Sequence, residues 1–202
     1  MLKNGNSKSL VLELGCGMEP QAITTVRHDR WDHSEHIDIW FDLDVLPWGS
    51  KSAGYHESYP EKFWKNDNLA QALLEEKASD LDMTYTKSIV GIKDEICDRI
   101  IAIDVFEHLH LDIPQWLNEC WRILKPGKLL HFQVPVWGTD NHLIDPTHQR
   151  GFHIQNFDYF CVGQDWHIAL GQFYDPKGRF WQMIQRDRVG DNLTFTLKKV
   201  EK

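Results

Sequence analysis

Short apolar runs recur along this chain, and each stops at an acid, a glycine or a proline. Ser-Leu-Val-Leu-Glu-Leu at residues 9–14 ends at Gly15-Cys16-Gly17, the run from Ile37 to Phe41 ends at Asp42, and Ile100 to Ile103 ends at Asp104. Runs this short and this rich in Val, Ile and Leu read as strands buried on both faces. Ile23 to Val26 adds a β-branched cluster leading to Asp29, and Leu129 to Val134 adds a strand closed by Pro135. Near the end, an apolar run around Phe180 to Ile184 precedes an alternating strand at 193–200, with Asp191-Asn192 placed for a hairpin turn. Ile113, Trp116, Leu117, Cys120, Trp121 and Leu124 recur at helical spacing until Lys125-Pro126-Gly127 stops them. Strands alternating with helix predict an α/β fold with a mostly parallel sheet and a closing hairpin.

The chain of 202 residues is the size of one domain, and 42% apolar with 26% charged residues excludes disordered and collagenous classes. Its 22 bases and 30 acids leave a net charge of −8 without a visible basic face, which disfavours nucleic acid and favours a small-molecule acceptor. Cys16, Cys97, Cys120 and Cys161 stand far apart and suggest neither a disulfide framework nor a zinc finger. With no signal peptide or membrane span legible, a cytoplasmic location is expected. Residues 49–95 break the strand rhythm. Asp67 to Leu81 reads as a helix, with Leu69, Leu73, Leu74 and Leu81 on one face, inside an insertion that either packs on the sheet edge or covers a substrate as a lid.

Glycines directly after a buried strand let the backbone approach a ligand closely and turn N–H groups toward it. Five segments set this turn in context: LVLELGCG at 10–17, the acid Asp29, DLDVLPW at 42–48, IIAIDVFEHL at 100–109 and ECWRILKPGKLLHFQVP at 119–135. In that order they resemble the class I S-adenosylmethionine-dependent methyltransferases, in particular a small branch whose first motif reads GCGxxP. The resemblance implies a single Rossmann-like domain over residues 1–202, with a seven-stranded sheet, and S-adenosylhomocysteine as product. It places Glu13, Gly15, Cys16 and Gly17 beside the methionine part of the cofactor and Asp29 on the ribose hydroxyls. Asp42 with Leu43 falls beside the adenine, and Asp104, Val105 and His108 fall near the methyl group. Glu19 and Pro20 stand where the fuller motif continues with glycine, and the gap from Pro20 to Ile23 leaves the first helix reduced to a turn. The same break disfavours a nicotinamide enzyme, which would show GxGxxG.

Asp104, Glu107, His108, His110 and Asp112 lie close in sequence, but proximity does not give ligand geometry and no metal is assigned to them. HLIDPTHQRGF at 142–152 follows the strand where the family places substrate contacts. There His148 is the expected base, Asp145 its orienting acid and Arg150 an anion clamp; the bland reading is a loop whose charges bond only one another. Trp116 and Trp121 fit helix packing, while Trp48, Trp64 and Trp137 fit either a pocket mouth or edge packing. Methyl transfer is the leading function. The alternatives are another transferase using the same pocket and a non-catalytic cofactor-binding or partner-binding module.

Overall fold

The computed structural model describes residues 9–17, 21–23, 26–29, 38–49, 73–78, 87–174 and 177–200. Strands β1 (Val11–Leu14), β2 (Val26–Asp29) and β3 (Ile39–Trp40) come first, followed by a separate hairpin of β4 (Leu74–Ala78) and β5 (Lys87–Ile92). Then come β6 (Cys97–Ile103), helix α1 (Ile113–Ile123) and β7 (Leu124–Pro135). Helices α2 (Asp140–Ile144) and α3 (Asp165–Tyr174) precede the closing pair β8 (Trp181–Val189) and β9 (Asn192–Lys199). The main sheet has seven strands in the order β3-β2-β1-β6-β7-β9-β8, as expected. The five strands from β3 to β7 pair in parallel, and β9 runs antiparallel to both of its neighbours. Strand order reverses between β1 and β6, so a crevice opens at their carboxyl ends, the ligand position of open α/β sheets.

The β1 run is wholly buried because the sheet is covered on both faces there. α1 turns Trp116, Leu117, Cys120 and Ile123 inward at helical spacing, each large apolar side chain contributing on the order of 2 kcal/mol by burial. Pro114 sits in its first turn, and the Gln115 side chain accepts the Asp112 amide at 2.8 Å. Trp116 stacks on Phe106 at 4.0 Å, and Phe132, Phe157 and Phe195 continue this aromatic core with ring centroids 4.6–5.1 Å apart. Trp121 packs under the Lys199 ammonium, 3.8 Å from its ring centre.

Three expectations change. The helix expected over 67–81 is a strand at Leu74–Ala78, paired antiparallel with β5, and its remaining residues except Leu73 lie outside the described set. Leucines at that spacing are compatible with either element, and the partner strand that decides the matter is distant in sequence. The strand expected from Ile23 begins only at Val26, with Ile23 in a turn and 55% exposed. The closing turn is Gly190-Asp191, one residue before the expected position. The described residues of the link from β1 to β2 form a bend and turn at 15–17 and a turn at 22–23.

Candidate active site

A cavity of about 700 Å³ lies at the carboxyl ends of β1, β2, β3 and β6. Gly15, Asp29, Asp42, Leu43, Asp104, Val105 and His108 line it, seven of the ten residues expected around the cofactor. The other three support the wall. Gly17 donates its amide to Asp29 Oδ2 at 2.9 Å, and Glu13, 3% exposed, accepts the Gln21 amide at 2.9 and 3.2 Å. Cys16 donates its amide to the His28 carbonyl at 2.9 Å, while burial, with Asp29 and Glu13 nearby, pushes its thiol up to about 12. Cys16 therefore serves through its backbone.

Gly15 has φ +59, and a Cβ there would lie 2.5 Å from Val105 Cγ2. Both the left-handed backbone and the close approach of the turn to the end of β6 require glycine. Gly15→Ala is expected to cost about 1–3 kcal/mol in backbone strain before the clash is counted, lowering the melting temperature by roughly 2–12 °C. Scanning calorimetry showing an unchanged midpoint would remove this reading.

His28, which the sequence analysis did not single out, is fully buried below the turn. Its Nε2–H donates to the Phe41 carbonyl at 3.0 Å and its Nδ1 accepts the Gly15 amide at 3.4 Å, so one neutral ring ties the turn, β2 and the end of β3 together. Burial lowers its pKa from 6.5 to about 4. Above pH 6.5 the ring is neutral in both folded and unfolded chains. As pH falls from 6.5 towards 4 only the unfolded chain takes the proton, and about 3 kcal/mol of stability is lost. Urea titrations at pH 7 and 4.5 are expected to show a smaller acid loss in His28→Gln than in the wild type; parallel losses would contradict this.

The loop after β3 is held from below. Trp48, wholly buried, donates its indole N–H to the Leu43 carbonyl and its amide to Glu119, both at 2.8 Å. Glu119 in turn binds Arg122 at 2.5 and 2.9 Å. Of the tryptophans open to two readings, Trp48 is a structural anchor, Trp137 is 72% exposed and Trp64 lies outside the described residues. Asp44, also unforeseen, accepts the amides of His110 and Leu111 at 2.7 and 3.1 Å and meets the His110 ring at 3.0 Å. This fastens the β6–α1 link to the β3 loop and uses His110 away from Glu107.

Beyond Asp104, whose backbone is left-handed at φ +54, the 142–152 loop folds over residues 107–109. Gln149 donates its amide to the Glu107 carbonyl, and the Arg150 guanidinium donates to the Leu109 carbonyl, each at 2.7 Å. The contact shown by Arg150 is thus a brace. Thr147 donates its hydroxyl and amide to Asp145 Oδ1 at 2.7 and 2.8 Å, which holds that carboxyl below its usual range. His148, with a side chain 7% exposed, donates Nδ1–H to the His142 carbonyl at 3.1 Å and places Nε2 3.9 Å from both Glu107 and Asp145. Glu107 is 1% exposed and burial pushes its carboxyl up to about 8. His108 lies below its usual range through burial and the facing His148 ring, 4.7 Å away. Pro146, Thr147 and Gln149 line the cavity, with His148 just behind them.

A family model described as a methyltransferase domain matches residues 64–132, which run through β6 and α1 into β7. Residues 64–132 thus match a methyltransferase domain, and the chain has the class I S-adenosylmethionine-dependent methyltransferase fold. A solved methyltransferase from Thermotoga maritima, described as a possible histamine N-methyltransferase, shares the fold at TM-score 0.50 and 12% identity, covering 95% of this methyltransferase and 83% of that chain. A search of curated proteins finds no match. The cofactor is S-adenosylmethionine, and a glycine turn, open space at Gly17 and acids set among apolar residues fit it.

Two further matches correct the expectation that nucleic acid is disfavoured as a partner. One is a 16S rRNA (adenine(1408)-N(1))-methyltransferase of Catenulisporales acidiphilia, at 14% identity and TM-score 0.35 over 54% of this methyltransferase and 52% of that chain. The other is a Haloferax volcanii protein in complex with the Trm112 methyltransferase activator, at 10% identity and TM-score 0.45 over 96% and 83%. RNA and protein partners both stay open, because net charge is a sum over the whole chain and does not describe a binding face. Among the described residues, no helix is long and apolar enough to cross a membrane.

Proposed function

We propose that this methyltransferase moves the methyl group of S-adenosylmethionine onto a protonated nucleophile that enters past His108 and Thr147, with His148 dealing with the acceptor's proton. The observation that supports this most is the single cavity joining Gly15 and Asp29 at one end to His108, Thr147 and Gln149 at the other. The bound cofactor supplies an activated methyl on a sulfonium, so the protein's task is alignment and exclusion of water. Asp29 holds the ribose, Asp42 with Leu43 borders the adenine, and Asp104, Val105 and His108 border the transferring group. Asp145 positions the acceptor side through Thr147 and its approach to His148. Arg150 fixes the loop that carries them.

The chain is proposed as one methyltransferase domain with residues 49–95 as an insertion or lid within it. A cytoplasmic setting is supported by four unbridged, buried cysteines. The test is transfer of isotope-labelled methyl to small hydroxyl, amine and thiol compounds, and to ribosomal RNA. A small-molecule acceptor is the first candidate, and the named neighbours put RNA in the screen. Label on one class, with equal S-adenosylhomocysteine released, is the expected result. Cofactor binding with no label on any class would favour the cofactor-binding module instead.

A further inference from the structure

We propose that Glu107, His108 and His148 bind one divalent cation of the zinc class at the acceptor end of the cavity. One ligand atom from each lies within 4.8 Å of the other two. Two imidazoles and one carboxylate suit zinc, cobalt or ferrous iron better than magnesium or calcium, which prefer oxygen ligands throughout.

The hydrogen bonds around the cluster prepare it for a cation. His148 spends Nδ1–H on the His142 carbonyl, leaving the Nε2 lone pair of its neutral ring toward Glu107. The Thr147 hydroxyl proton goes to Asp145, so its oxygen accepts Nδ1–H from His108 at 2.9 Å. His108 Nε2 is then also a lone pair. Metal-binding histidines commonly donate their second N–H to a carbonyl or a carboxylate-linked group in this way. Glu107 gives the independent sign: its Oε2 is buried and has no hydrogen-bond partner. Oε1 of the same carboxyl lies 3.9 Å from His148 Nε2, so the group brings an imidazole lone pair and an unpartnered buried oxygen together, a costly arrangement that a cation resolves.

Three protein ligands leave a coordination position open. His108 and Thr147 line the cavity, so that position faces the acceptor. This part rests on the methyl-transfer reading: an acceptor hydroxyl bound there becomes more acidic and releases its proton to water, and the cation takes over the task given to His148.

The test uses tag-free full-length protein stripped of metal by chelator dialysis. Zinc alone is titrated against a chromophoric chelator, and cobalt(II) is added separately for its absorption spectrum. The expected result is one equivalent of zinc per chain and a four-coordinate cobalt spectrum without a thiolate band. Glu107→Gln and His148→Ala each weaken zinc at least about 100-fold, while exposed His153→Ala changes nothing. No stoichiometric zinc, binding untouched by either variant, or a thiolate band would overturn the proposal. The wild-type cobalt spectrum decides the matter even where a variant fails to fold. S-adenosylhomocysteine affinity is measured on the same samples. Cofactor binding without zinc sinks the metal site alone, and zinc without cofactor binding sinks the methyl-transfer reading alone.

Discussion

Asp29→Ala is expected to raise the Kd for S-adenosylhomocysteine on the order of 10²–10³-fold, measured by equilibrium dialysis with labelled cofactor. The carboxylate closes β2, is 9% exposed and holds the Gly17 amide at 2.9 Å. Removing it releases the glycine turn and, by the family resemblance, deletes the acceptor of the ribose hydroxyls. Hydrogen bonds to an ionised group contribute about 1.5–3 kcal/mol each, so two of them account for the expected loss. Asp29→Asn keeps the shape without the charge and is expected to lose less, roughly 10-fold. Affinity within twofold of wild type in Asp29→Ala would mean that the cofactor lies elsewhere.

The second large effect is expected at His148. His148→Ala should lower kcat by about 10²–10⁴-fold, the usual range for losing proton handling in the transition state, whether the ring itself or a cation held by it performs that task. Cofactor affinity should stay within about twofold, because His148 is absent from the cavity wall on the glycine side. That separation distinguishes acceptor-side chemistry from collapse of the loop, since a collapsed loop would also disturb His108 and Thr147 on the wall. A variant that turns over at the wild-type rate on the acceptor found by screening would remove His148 from the mechanism.

The parallel strands were legible in the sequence because a strand buried on both faces shows itself as an uninterrupted apolar run. β1, apolar but for Glu13, and the Ile100–Ile103 half of β6 come nearest to this, and the glycine or acid ending each marked the cavity. α1 was legible from its spacing and its proline-glycine stop. The segment around Leu74 was not, because its conformation is settled by pairing with residues 87–92. Of the seven expected residues that line the cavity, Gly15, Asp29, Asp42 and Asp104 stood out as a glycine turn and strand-ending acids, while Leu43, Val105 and His108 came from the family resemblance. His28 left only a weak trace, a polar residue at an inward position of β2, and its role depends on Phe41 lying over it at 4.0 Å. The link from Glu107 to His148 was equally hidden. Both residues were noted separately, but only the fold of the 142–152 loop over the end of β6 brings them within 3.9 Å.

Calorimetric titration of the wild-type protein with S-adenosylmethionine and S-adenosylhomocysteine tests the central claim most directly. One micromolar site per chain for each compound, with the product competing for the same site, is the predicted result. An absence of binding heat at several temperatures, with the protein folded, would contradict the assignment of this cavity to the cofactor.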